Sequence, residues 1–249
     1  MLQAVLGLHA ARIASAFLVA PAAMGQRLVR AKRRLKEAGA RLALPGPEAV
    51  AARLPDALAA IYAAYAAGAA DPADGGSLAG EALWLARLCA ALAPEEPEAG
   101  GLAALLLHLE ARRPAGRDEA GGYVPLSAQD PARWDAALQA EAEGLLRRAA
   151  ALVRPGRFQW EAAVASVHAA RRLTGRTDWP AVLLLYDALL AATASPVVAV
   201  NHAVALAEVE GSAAGLTALR AVAAAEARRR AIGLATDPGV RAFLMRSGP

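Results

Sequence analysis

Alanine dominates the sequence, and its frequency restricts the fold more than any single motif does. The chain has 71 alanines among 249 residues, whereas aromatic residues make up only 4%. Alanine is the strongest helix former, and its small side chain lets helices approach each other closely. The sequence has no long run of the valine, isoleucine, threonine and aromatic residues that strands favour. The composition therefore predicts an all-α fold of closely packed helices.

Positive charge is concentrated near the N-terminus. Residues 1–42 contain eight lysines and arginines and one glutamate, a net charge of +7. The remaining chain has 19 basic and 22 acidic residues, a net charge of −3. This segregation favours a basic module that binds a polyanion and is attached to a nearly neutral body.

Two amphipathic segments occupy the basic region. Helical spacing places Ile13, Phe17 and Leu18 on one side of a first helix. In a second helix Pro21 suits the first turn and Gly39 suits the C-terminal stop. The expected core face of this second helix consists of Met24, Leu28, Ala31 and Leu35. The polar and basic residues that project mainly away from it are Gln26, Arg27, Arg30, Arg33 and Arg34.

This layout is typical of a helix-turn-helix, whose second helix enters the DNA major groove. Arginine can bridge two guanine acceptors or hold a phosphate, and glutamine can pair with adenine. Charge alone leaves an alternative open, because basic residues near a helix C-terminus also complement the helix dipole in a solvated helix.

The run RIASAFLV followed by MGQRLVRAKRRLKEAG resembles the region 4 helix-turn-helix of extracytoplasmic-function (ECF) sigma factors. In that family the second helix contacts the upstream promoter element, and the matching run here is residues 26–32. We therefore expect Gln26, Arg27 and Arg30 to face base edges. The residues that we expect to hold phosphates are Arg12, Lys32, Arg33 and Arg34.

A linker and a helical body follow. Pro45, Gly46 and Pro47 interrupt any continuous helix. We therefore predict three parts: residues 1–42 form a helix-turn-helix that is incomplete at its N-terminus, residues 43–56 form a linker that turns into a helix, and residues 57–249 form a helical domain. Short connections favour antiparallel helix pairs. The predicted helices lie near 50–67, 78–93, 97–113, 131–153, 158–172, 178–192, 196–210 and 212–231.

The run DWPAVLLLYDALLAATASPVVAVNHAVALAEVEG resembles a tetratricopeptide (TPR) unit, in which one helix ends before Pro196 and a helix of small residues is closed by Gly211. The landmarks from about 78 to 216 resemble the C-terminal helical extension of one ECF group. This resemblance implies a TPR-like domain that recognises a protein or its neighbouring domain. Region 2, which holds the main polymerase clamp in ECF sigma factors, has no counterpart here, so we expect that this chain does not start transcription unaided.

Patterns for catalysis or metal binding are weak. The single cysteine, Cys89, excludes an internal disulfide and is expected to be buried and inert. No glycine-rich phosphate loop is present. We therefore expect no enzyme activity, no cofactor and no metal. The four histidines lack metal-ligand spacing, which favours core or interface roles for His9, His108, His168 and His202.

The sequence also bears on location. MLQAVLGLHAAR has no basic residue before its apolar run, and Pro196, Asn201 and His202 interrupt the uncharged window at 188–207. We therefore expect a cytoplasmic protein without a membrane partner.

Three functions remain to be compared. The first is a transcription-related, sigma factor-like protein that binds promoter DNA and RNA polymerase core, with the TPR-like domain regulating or scaffolding it. The second is a protein-interaction module whose basic helix docks on RNA polymerase, or on its own body by intramolecular docking, without binding DNA. The third is an enzyme, which would need paired titratable groups in an apolar pocket.

Overall fold

The protein is built from α-helices, which confirms the predicted all-α class. The computed structural model describes residues 9–16, 19–39, 46, 49–69 and 77–234, and none of these residues belongs to a strand. The helices in the described ranges are α1 Ala10–Ala16, α2 Pro21–Glu37, α3 Val50–Ala69, α4 Ser77–Leu92, α5 Pro97–Arg112, α6 Ala136–Ala151, α7 Arg157–Ala169, α8 Arg171–Thr174, α9 Trp179–Thr193, α10 Pro196–Glu210 and α11 Ser212–Leu234.

Local sequence signals explain most helix boundaries. The predicted helices are confirmed except at the start of α6 and at the end of α7, where the helix predicted at 158–172 ends at Ala169 and the short α8 follows. Pro97 and Pro196 begin α5 and α10, where a missing backbone N–H costs nothing. The Asp178 carboxylate accepts a hydrogen bond from the backbone N–H of Ala181 and so caps α9. Gly211, with φ of 96°, ends α10 in a conformation that residues with a side chain rarely adopt.

The predicted start of α6 at residue 131 is wrong, because α6 begins at Ala136. Residues Pro131–Arg133 form a separate 3₁₀ turn. The Asp135 carboxylate then accepts hydrogen bonds from the backbone N–H groups of Ala137 and Leu138, at 2.8 and 3.0 Å. An aspartate N-cap requires non-helical backbone at its own position, so it separates the 3₁₀ turn from the α-helix.

Two compact units divide the chain, Met1–Ala162 and Ala163–Pro249. In the first unit α5 is the central helix and packs against α3, α4 and α6. Its side chains from 101 to 108 are all buried, including the fully enclosed Leu102, Leu106 and Leu107. The β-carbon of a residue at position 101 would lie only 2.7 Å from the backbone nitrogen of Gln159, so the close approach of α7 requires Gly101.

In the second unit, α10 packs against both α9 and α11. Ala203 and Ala205 are fully buried, as expected for a helix of small residues in close contact with its neighbours. Gly215 of α11 lies so close to α10 that an added β-carbon would be 2.8 Å from the carbonyl oxygen of Ala203. Small residues therefore determine the spacing of these helices.

The predicted domain boundaries at residues 42 and 56 remain a prediction. Helix α3 begins at Val50, so the last residues of the predicted linker are already helical. Helices α1 and α2 are in the same compact unit as α3 to α6.

Candidate nucleic-acid interface

The basic helix α2 is anchored along one side of its first half. Met24 is 7% exposed and packs with Ile13 and Ala14 of α1, while Leu28 contacts the same cluster as a partly buried residue. The side chains that complete this anchor come from α3 and α4, namely Ala67 and Leu78. The turn between α1 and α2 is closed by a hydrogen bond from the Val19 backbone N–H to the Ala14 carbonyl, at 2.9 Å. Pro21 starts α2 as predicted, and Gly39 follows its end with φ of 59°.

The opposite side of α2 presents its polar and basic side chains to solvent. At 100° per residue, Gln26, Arg30 and Arg33 lie on the side facing away from Met24 and Leu28. Arg27 and Arg34 flank these three residues on one side, and Lys32 lies on the other. The predicted contact residues that the structure shows to be exposed are Gln26, Arg27, Arg30, Lys32, Arg33 and Arg34.

Little negative charge balances this face. Within α2 the one acidic residue is Glu37, whose carboxylate lies 3.6 Å from Arg33 Nε in an exposed pair. Arg27, Arg30, Lys32 and Arg34 form no ion pair with any residue that the structure describes. Cations spaced by one or two helical turns lie within a Debye length of about 10 Å at 0.1 M salt, so they repel each other until a polyanion approaches.

Part of the predicted core face of α2 is wrong. Ala31 is exposed and Leu35 is 58% exposed, although both were expected to face the core with Met24 and Leu28. Helix α1 has only seven residues and packs with the first half of α2, so nothing in the described ranges covers its second half. Phe17, Leu18 and the side chain of Arg12 lie outside the described residues.

The histidines of α5 and α10 face carboxylates. His108 is 3% exposed, and its Nε2 lies 3.3 Å from Glu143 Oε1 across the α5–α6 contact. His202 Nε2 lies 2.8 Å from Asp187 Oδ1 on the neighbouring α9. Neither pair is visible in the sequence, because 35 and 15 residues separate the partners and only helix packing brings them together.

The other candidate groups do not assemble an active site in the described ranges. His168 packs edge-on against the ring of Trp179, with ring centres 5.5 Å apart. The described residues include no group of three or more histidines, cysteines and carboxylates that could hold a metal ion. Cys89 is half-buried rather than buried as predicted, and burial raises the pKa of its thiol, which disfavours the reactive thiolate.

Comparison with known proteins adds a family match to the helical body. Residues 53–150 match DUF6596, a family of unknown function. Over 219 residues, 86% of this chain, the sequence is 41% identical to the uncharacterized protein R00370 of Rhizobium meliloti (strain 1021). The chain spans about half the length of that relative, with 52% of it covered. No solved structure matches the chain.

The hydropathy of the helices shows whether any of them could span a membrane. Among the described helices, none is both long enough and apolar enough to cross a bilayer.

Proposed function

We propose that the protein is a transcription-related, sigma factor-like DNA-binding protein in which α2 reads an upstream promoter element. The observation that carries this proposal is the two-sided construction of α2. Apolar residues anchor one side to the rest of its compact unit, while one glutamine and six cations stand exposed on the other sides. The resemblance of the sequence around α1 and α2 to sigma region 4 supports the same function.

The spacing on α2 suits a recognition helix. Gln26, Arg30 and Arg33 follow one another at intervals of four and three residues, so they form one ridge about 10 Å long. A ridge of this length fits within the major groove, which is about 12 Å wide. Gln26, Arg27 and Arg30, which are nearer the N-terminus of α2, contact base edges, as the N-terminal residues of recognition helices do.

The remaining cations of the region position the helix on the DNA backbone. Lys32, Arg33 and Arg34 are exposed in the second half of α2, and together with Arg12 they hold phosphates. No side chain caps the N-terminus of α2. Its first backbone N–H groups therefore add donors for a phosphate.

The helical body acts in this proposal as the regulatory or scaffolding part. Helices α3 to α6 pack in sequence in the first compact unit and α9 to α11 do so in the second, as in TPR-like arrays that bind proteins. RNA polymerase core is the proposed protein partner, the proposed location is the cytoplasm, and the proposed activity is DNA binding without catalysis.

Sequence enrichment from a pool of random DNA duplexes tests the proposal. The full chain should enrich one short motif. Arg30→Ala should relax the preference at one base pair of that motif and lower affinity by about 1–3 kcal/mol. Lys32→Ala should weaken binding to all sequences about equally, because a phosphate contact carries no base information. Failure of the wild-type chain to enrich any motif would contradict promoter reading.

A further inference from the structure

Helix α4 buries one face in the first compact unit. Ala79, Ala82, Leu83 and Ala86 are all at most 6% exposed, and they recur at the spacing of a single helix face. This face packs against α3 and α5. These four residues form the buried side of α4.

The opposite face of α4 is also apolar and is exposed. Trp84 is 61% exposed and Leu92 is 77% exposed, with the exposed Leu88 between them. We call these three residues the α4 stripe, since intervals of four residues align them along the helix. A helix that is apolar all round is normally buried, and a contiguous exposed apolar patch marks an interaction site. Tryptophan is also the residue type most enriched among side chains that dominate binding energy.

A cavity adjoins the α4 stripe. It has a volume of about 370 Å³ and lies between α4, α5 and α6. Ala91, which is next to Leu92 on the exposed side of α4, lines this cavity together with Leu145 and Ala149 of α6. The cavity is also lined by charged side chains, namely Arg87, Glu96, Glu141 and Arg148. An open apolar stripe beside a cavity with both apolar and charged residues resembles the grooves that receive an amphipathic helix, where anchor side chains enter pockets.

The area of the α4 stripe indicates the size of its partner. From their exposed fractions, the three side chains offer of the order of 300–400 Å². A stable interface between two proteins buries about 800 Å² on each side. The stripe is therefore too small to hold two copies of this chain together and is sufficient for one helix of a partner.

The ends of the α4 stripe are acidic. Glu81 precedes Trp84 by three residues, and Glu95 and Glu96 follow Leu92 in the turn to α5. None of these three carboxylates forms an ion pair with a residue in the described ranges. Arg87, the cation nearest the stripe in sequence, is held by Glu141 through two hydrogen bonds of 2.7 and 2.6 Å. A partner helix with basic residues at both ends would complement this arrangement.

We propose that the α4 stripe and its cavity are a docking site for an amphipathic helix of another protein, with an apolar face and basic residues at both ends. The site is distinct from the basic face of α2.

Binding of a designed peptide to the full chain tests this site. The probe is a fluorescein-labelled helical peptide of about 16 residues, with leucines along one face and lysines at both ends. Fluorescence anisotropy should show saturable binding, and the double variant Trp84→Ser, Leu92→Ser should weaken it at least tenfold. The matched control is Leu173→Ser, Leu184→Ser, which changes two leucines that are 88% and 70% exposed and should leave affinity unchanged.

Charge and self-association give two further readouts. A peptide with glutamates in place of the terminal lysines should bind at least tenfold more weakly at low salt. Equal affinity for the two peptides, or equal loss of binding in the control variant, would overturn the proposal. Sedimentation that shows a dimer dissociated by Trp84→Ser would also overturn it, because the occupant would then be a second copy of the chain.

Discussion

The Glu98 carboxylate is a single side-chain group, but its removal should strongly destabilise the first compact unit. Glu98 lies in the first turn of α5 and reaches across to the start of α7. Its Oε2 accepts a hydrogen bond from the backbone N–H of Phe158 at 2.9 Å, and its Oε1 accepts one from Gln159 at 3.1 Å. The residue before α7 is Gly156, which has no side chain with which to cap the helix. Glu98 therefore acts as the N-cap of α7 from another helix.

The magnitude follows from the two bonds and from the burial around them. Each hydrogen bond to a charged group contributes about 1.5 kcal/mol or more, and a carboxylate at a helix N-terminus contributes about 0.5 kcal/mol through the helix dipole. Phe158 and Gln159 are each 5% exposed, so water cannot readily replace the lost acceptor. Glu98→Ala should therefore lower the free energy of unfolding by about 3 kcal/mol and the Tm by roughly 6–12 °C.

Urea unfolding followed by circular dichroism measures the loss, and hydrogen exchange at the Phe158 and Gln159 amides locates it. Glu98→Gln retains one acceptor oxygen without the charge and should lose about half as much. Glu95→Ala removes a nearby exposed carboxylate and should change stability by no more than about 0.5 kcal/mol. A loss below 1 kcal/mol in Glu98→Ala, or unchanged exchange at both amides, would refute the capping role.

Three further substitutions test helix packing and a buried hydroxyl. Gly101→Ala should lower the free energy of unfolding by about 1–3 kcal/mol, because the new methyl group meets the Gln159 backbone. Gly80 has nothing within 4 Å of an added β-carbon, so Gly80→Ala should stabilise α4 by about 0.5–1 kcal/mol. Thermal melts compare the two variants, and equal effects would contradict the packing argument. Tyr65 donates a hydrogen bond to Glu110 at 3.1 Å, and burial and this carboxylate raise the pKa of its hydroxyl. Because the pKa of Tyr65 is higher in the folded state than in the unfolded state, the protonated hydroxyl stabilises the fold below the unfolded value of about 10. This contribution to stability is lost as the pH rises through the folded-state pKa. Tyr65→Phe should therefore cost about 1 kcal/mol at pH 7 and flatten the fall of stability above pH 10, and an unchanged alkaline profile would contradict this reasoning.

Helix positions were largely predictable because local chemistry sets them. Pro97 and Pro196 favour the first turn of a helix, and Gly211 has the positive φ that ends one, so the starts of α5 and α10 and the end of α10 follow from single residues. The start of α6 was missed because Asp130 and Asp135 are both suitable N-caps, and their side chains cap successive 3₁₀ and α-helical segments.

Exposure was less predictable, because it depends on which helices pack together. Leu35 has the spacing of a core residue but lies beyond the reach of the short α1. Trp84 and Leu92 lie on a helix whose residues are nearly all apolar, so the sequence does not show which side is covered. The basic face of α2 was easier to recognise, since uniform charge on one side of a helix can only face solvent or a polyanion.

The salt dependence of DNA binding tests most directly whether the cations of α2 lie on phosphates. Four phosphate contacts, from Arg12, Lys32, Arg33 and Arg34, predict a slope of about −3.6 for log K against log salt. Replacement of Lys32, Arg33 and Arg34 by alanine should reduce the slope to about −0.9 on a 30-base-pair duplex. The matched control, with three exposed arginines of other helices replaced by alanine, carries the same change in charge and should retain the wild-type slope; these are Arg53, Arg147 and Arg220.

Equal slopes in the two triple variants would show that DNA binding depends only on the net charge of the protein and not on where the cations lie. That result would contradict the placement of α2 on DNA.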